Sequence, residues 1–203
     1  MTREMRNLVP LEVAVVIAAA VLALPVPAAV PLLVVASISR WLRGRSWAEV
    51  IEGPALYAAV GVAAGAAALA LALAVSTPLV EAITGQAVQW STYPVVRGSA
   101  GTAVMIALVV GVGAIAAELV LRGWLVERVL ELGGHPVLAV LVGAIAEAAL
   151  AEGDLGARLG AGVFGIGVGW IYVAGGRSVV APICARLVFT LGALALETLR
   201  LVG

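Results

Sequence analysis

Again and again this chain runs apolar for about the 20 residues a helix needs to cross roughly 30 Å of hydrocarbon. That repetition bounds what it can fold into. Of its 203 residues, 63% are hydrophobic and only 12% are charged, against about 25% charged and about 45–50% apolar in soluble domains. One soluble core of this size cannot hide so much apolar surface. Lipid supplies no hydrogen-bond partners, so spans must be helices or closed barrels, and the chain lacks the alternating apolar–polar strands of a barrel. The expected fold is all-α: a polytopic transmembrane helix bundle of about seven spans, forming a single integral-membrane domain over 1–203.

The spans are expected at about 8–24, 28–40, 54–77, 101–132, 136–151, 158–173 and 178–200, from apolar runs and their breakers. Pro25, Pro27 and Pro31 divide the first run into two helices, because proline interrupts the helical ladder. The basic stretch 1–7 is followed by no small-residue cleavage pattern, so no cleaved signal peptide is expected. Between 40 and 47 lies a polar landing, where Ser46 would cap a short interfacial helix through Glu49. The stretch 78–100 is the longest expected connection, placed outside over the bundle mouth with Trp90 and Tyr93 as interfacial anchors. Gly133-Gly134-His135-Pro136 reads as a turn between a helix stop and a proline start.

With the N-terminus cytoplasmic, Arg3, Arg6, Arg40, Arg43, Arg45, Arg122, Arg128 and Arg177 fall inside. Arg97, Arg158 and Arg200 fall outside. This asymmetry obeys the positive-inside rule and fits a bacterial inner membrane. The formal net charge is zero, so no nucleic-acid footprint exists, and membrane lipid is the expected partner. One cysteine, Cys184, and one histidine, His135, exclude a disulfide framework, a multi-cysteine metal site and any centre needing two imidazoles. No metal or cofactor is expected. Cys184 reads as a small hydrophobe, His135 as a surface turn residue, and Glu12 as a solvated end residue.

A charge at the centre of a span costs at least about 2.5–3.5 kcal/mol and is usually functional. Glu118, Arg122, Glu147 and Arg186 are the candidates. Glu118 and Arg122 are four apart and share a helix face, with the acid first in the favourable order. Glu147 lies roughly 16 Å into its span and Arg186 roughly 12 Å in from the same side, at 1.5 Å per residue. These two are expected to face each other, either as mutual neutralisation or as part of a site. Gly160, Gly165 and Gly169, with Ala161, form a small-residue stripe for close helix packing.

Ala117-Glu118-Leu119-Val120-Leu121-Arg122-Gly123-Trp124-Leu125 resembles the Glu-Glu-x-x-x-Arg motif of the CAAX-protease and bacteriocin-processing (CPBP, or Abi) intramembrane peptidases. Phe164-Gly165-Ile166-Gly167-Val168-Gly169-Trp170-Ile171-Tyr172 is similar to that family's glycine-rich helix. Gly176-Arg177-Ser178-Val179-Val180-Ala181-Pro182-Ile183 is similar to its turn into the last catalytic helix, and the Arg-rich stretch 40–49 to the loop before its third span. The resemblance covers about 28–195. It implies a peptidase in which a glutamate and histidines activate water. Here Ala117 stands at the first glutamate, no Phe or His occurs near Glu147 where one pair is expected, and Arg186 and Thr190 stand at the last His and Asn.

Three functions follow. The first is a repurposed acid–base enzyme for cyclisation, rearrangement or hydrolysis of a lipophilic small molecule in an intramembrane cavity. Glu118 and Glu147 would be catalytic, moving the proton, with Arg122, Arg186 and Thr190 binding substrate and developing negative charge. The second is a non-enzymatic membrane binding or self-immunity module, and the third a divergent glutamate peptidase.

Overall fold

The computed structural model describes residues 29–85, 93–151, 153 and 155–199. The chain is all-α, and among the described residues there is no strand. Helix α1 is Ala29–Leu42 and α2 Ala48–Ile51. Helix α3, Ala55–Leu71, continues through a π turn at Ala72–Ser76 into α4, Thr77–Thr84. A 3₁₀ turn at Pro94–Val96 precedes α5, Ala100–Val120, which continues through a π segment, Leu121–Val126, into α6, Glu127–Glu131. Helices α7, Pro136–Leu150, α8, Leu155–Ala174, and α9, Val180–Thr198, complete the order.

Among the described residues, four helical stretches are long and apolar enough to cross a membrane: Ala55–Ile83, Ala100–Glu131, Leu155–Ala174 and Val180–Thr198. Ala29–Leu42 and Pro136–Leu150 are shorter apolar helices. The protein is an integral membrane protein. The expected first span, Glu12 and Trp90 lie outside the described residues.

The long connection differs from expectation. Helix continues past Pro78 and stops at Gly85, whose left-handed backbone (φ 67°) and N–H to the Glu81 carbonyl close the end. Pro78 follows directly on the π turn Ala72–Ser76, so its missing N–H falls where the helical ladder is already irregular. Thr77 Oγ1 donates to the Ala72 carbonyl across the π turn at 2.9 Å.

The chain folds as two compact units, Met1–Glu52 with Ala116–Val179, and Gly53–Ile115 with Val180–Gly203. In the first, Leu32, Ala36, Val120 and Trp124 form a buried cluster against which Leu33, Trp47, Leu125 and Leu150 pack. The indoles are anchored: Trp124 Nε1 donates to Ser39 Oγ at 2.9 Å and Trp47 Nε1 to Ser37 Oγ at 3.1 Å. Ser46 Oγ accepts from the Ala48 amide and Glu49 Oε1 from the Ser46 amide, the reciprocal cap expected there. Helices α7 and α8 pack through the small-residue stripe, Gly169 against Val140 and Gly165 against Ala144. Gly160 faces open space and is no part of that contact.

The second unit is built on α3 against α9. A side chain at Gly61 would strike the Ala181 carbonyl and Cys184, and one at Gly65 the Ala185 carbonyl and Val188. Cys184 thus serves as a small packing residue. Glu197, buried at the end of α9, accepts from the Tyr93 amide at 3.3 Å and lies 3.9 Å from Arg97 Nε.

Candidate functional site

The buried charges of the first unit meet at Arg122. Its Nη1 lies 3.3 Å from Glu118 Oε2 and donates to Oε1 at 3.4 Å. Its Nη2 donates to Glu147 Oε2 at 2.5 Å and to the Gly165 carbonyl at 3.0 Å. The side chains of Arg122 and Glu118 are fully buried and that of Glu147 is 5% exposed. Two carboxylates share one guanidinium. Arg122 Nε is buried with no acceptor.

Local structure accounts for each position. Glu118 ends the α5 ladder and Arg122 follows four residues later, so the acid and base stack on one face. Arg122 lies in the π segment, and single π turns inside α-helices recur at functional sites. Glu147 comes from α7, which folds back after the turn at Gly133 (φ 82°). Gly165 on α8 completes the cluster because it has no side chain: a Cβ there would lie 2.7 Å from Glu147 Oε2.

The i, i+4 pair Glu118–Arg122 therefore forms as the spacing suggests. Counting depth along single helices pairs Glu147 with Arg186; the contact to Glu147 described here comes from Arg122. The signal for it lies in the hairpin: Arg122 and Glu147 stand about a dozen residues either side of Gly134, hence at equal depth on antiparallel neighbours. This also corrects Arg122's place in the charge tally, since it is an interior residue and not a loop cation. Arg186 and Thr190 are half-buried on α9, in the second unit. Ala117, at the position of the leading glutamate, is partly buried.

His135 is exposed and caps α7, its Nδ1 accepting from the Val137 amide at 3.3 Å. The chain's one imidazole is thus a helix cap. Among the described residues no group of three or more His, Cys, Asp or Glu is arranged to hold a metal ion.

Sequence reasoning missed a second polar cluster in the same unit. Tyr172, fully buried, donates its hydroxyl to Glu127 Oε1 at 2.8 Å, and Arg177 Nη1 lies 3.7 Å from Glu127 Oε2. Arg40, 7% exposed, donates from Nη1 to the Gly123 carbonyl at 2.9 Å and stacks over the Trp47 ring at 4.7 Å. The available signal was the gathering of Arg40, Arg43, Arg45, Arg128 and Arg177 at expected helix ends.

No curated protein and no solved structure matches the chain. A family model described as "Rce1-like: Type II CAAX prenyl endopeptidase Rce1-like" matches residues 99–192, which contain the whole Glu118–Arg122–Glu147 cluster, and the chain is a CAAX-protease-like integral membrane protein similar to the CPBP family.

Proposed function

We propose that this protein keeps a CPBP-like scaffold in the membrane without the peptidase chemistry, and acts as a non-enzymatic binding module. The observation that supports this reading is the closure of Arg122. Both of its terminal nitrogens are spent on Glu118, Glu147 and the Gly165 carbonyl. A general acid or base must come within hydrogen-bonding reach of the substrate atom it serves, and an oxyanion-holding cation must be open to the developing charge. A guanidinium so engaged serves instead to make two buried carboxylates tolerable. Ala117 at the leading glutamate and His135 as an exposed cap support the same reading. The protein resides in a bacterial inner membrane with Arg40, Arg43, Arg45, Arg128 and Arg177 on the cytoplasmic face, as the positive-inside rule favours.

A second reading is the acid–base enzyme for a lipophilic small molecule. It is favoured by the convergence of two carboxylates on one cation, with Glu147 slightly open where its partners are closed. Glu147 would then carry the proton and Glu118 hold Arg122.

One experiment separates these. The full chain in nanodiscs is incubated with a prenylated CAAX peptide and, separately, with a lipid extract from the producing cells. We expect no peptide cleavage and no altered lipid. Cleavage abolished by Glu118→Gln overturns the first reading in favour of a peptidase. Lipid conversion lost in a folded Glu147→Gln variant overturns it in favour of the second.

A further inference from the structure

At the polar end of the first unit lies a recess of about 240 Å³ that neither reading uses. It is lined by Arg40, Arg45, Arg177, Glu49, Glu127 and Glu131. An adjoining smaller recess adds Arg43 and Arg128. Five guanidiniums thus surround three carboxylates. The surplus is positive, and two of the cations, Arg40 and Arg128, are buried. Arg40 gives its hydrogen bonds to the backbone carbonyls of Gly123 and Ser46, and its buried Nε has no acceptor.

The groups at the mouth are free to exchange partners. Arg45 and Glu49 pair at 2.9 Å with side chains 55% and 41% exposed, and such exposed pairs hold weakly. Arg177 is also 55% exposed, 3.7 Å from Glu127. Its backbone has φ 66°, a left-handed conformation that L side chains adopt at a cost. The turn is pinned from both sides, by Arg177 N–H to the Tyr172 carbonyl at 3.0 Å and Val179 N–H to the Val50 carbonyl at 2.7 Å. An arginine is held over the recess where glycine would be easier.

We infer that this recess binds a phosphate-bearing anion, either a phospholipid headgroup or a free phosphate ester. Arg45 and Arg177 grip it, and buried Arg40 keeps the recess cationic. Guanidinium forks match phosphate oxygens in geometry. Basic pockets between membrane helices take anionic headgroups. The volume suits one headgroup and is smaller than the sites that hold drug-sized ligands.

The test uses the full chain in detergent. Melting shifts and native mass spectrometry follow binding of short-chain phosphatidylglycerol, net-neutral phosphatidylcholine of equal chain length, and glycerol phosphate. Two variants accompany the wild type: Arg45→Gln and Arg177→Gly, the latter keeping the turn and relieving its backbone. Each should weaken binding about fivefold, while unliganded Arg177→Gly melts no lower than wild type. Binding of phosphatidylglycerol but not glycerol phosphate, lost in the double variant, supports a membrane source. The reverse supports an aqueous one. Equal binding of phosphatidylcholine, or wild-type binding by the double variant, overturns the inference.

Discussion

The two units of this molecule are held together by different physics. In the second, α3 and α9 approach so closely at Gly61 and Gly65 that a single methyl group would strike backbone. Its described charges are Glu81, Arg97, Arg186 and Glu197. In the first unit a fully buried guanidinium joins carboxylates from α5 and α7 to a carbonyl of α8. Lipid offers no hydrophobic drive between helices, so association must come from close packing or from polar contacts. One unit uses mainly the first device and the other adds the second. Small-residue packing tolerates neutral change at open positions and fails only at the contact. A shared ion cluster fails whenever its charge is left unmatched.

That contrast predicts the largest effect at Arg122. Removing one partner of a buried ion cluster costs about 3–5 kcal/mol, whereas replacing the cluster by apolar residues of similar volume is near neutral. Arg122→Ala should therefore lower unfolding stability in detergent steeply. Arg122→Met combined with Glu118→Leu and Glu147→Leu should recover most of the loss. Losses that simply add across Arg122→Ala, Glu118→Ala and Glu147→Ala would show that the three do not act as one cluster.

Next comes the glycine contact. Gly65→Val inserts a side chain against the Ala185 carbonyl and Val188, and overpacking of this kind costs about 1–3 kcal/mol. Gly113→Ala is the matching control, since nothing lies within 4 Å of its Cβ position. It should leave stability unchanged or raise it by up to about 1 kcal/mol through helix propensity. Both positions lie in the second unit, so equal melting of the two variants would show that this unit does not rest on the close contact at Gly65.

These effects also show what the sequence could and could not carry. Apolar runs and their breakers placed the continuous stretch from α5 to α6, and α7, α8 and α9, within a few residues. The Glu118–Arg122 pair was legible from four-residue spacing alone. The link to Glu147 was not read, because depth counted on one helix says nothing about which neighbour its face meets. Symmetry about the Gly133–Gly134 turn would have supplied it. The recess between Arg40 and Arg177 was illegible for another reason. It is assembled from residues more than a hundred apart in sequence, through a left-handed arginine that no propensity favours. Pro78 misled for the opposite reason, since next to a π turn a proline distorts a helix without ending it.

The smallest expected effect lies in the exposed polar landing, at Glu49. The Ser46 amide donates to Glu49 Oε1 at 2.8 Å, and Arg45 Nη1 to Oε2 at 2.9 Å. That amide is the main cause holding the Glu49 carboxyl below its ordinary value; a smaller desolvation opposes it, and the hydrogen bond and charge of Arg45 add to the lowering. A carboxyl with a depressed value in the folded state stabilises the cap at pH values above the unfolded value, about 4.3 for glutamate. The contribution is lost as the pH falls through the lower, folded value. Hydrogen exchange at the Ser46 amide, corrected for the intrinsic rate, should be slowest at neutral pH and quicken below about pH 4. Glu49→Gln keeps an acceptor oxygen without a titrating group, so its protection should be nearly flat over the same range. The global melting temperature should barely follow, because exposed pairs contribute little to stability. A parallel loss of protection in Glu49→Gln would move the acid sensitivity to another carboxyl, with Glu131 the first to examine, 4.0 Å from Arg45 Nη2.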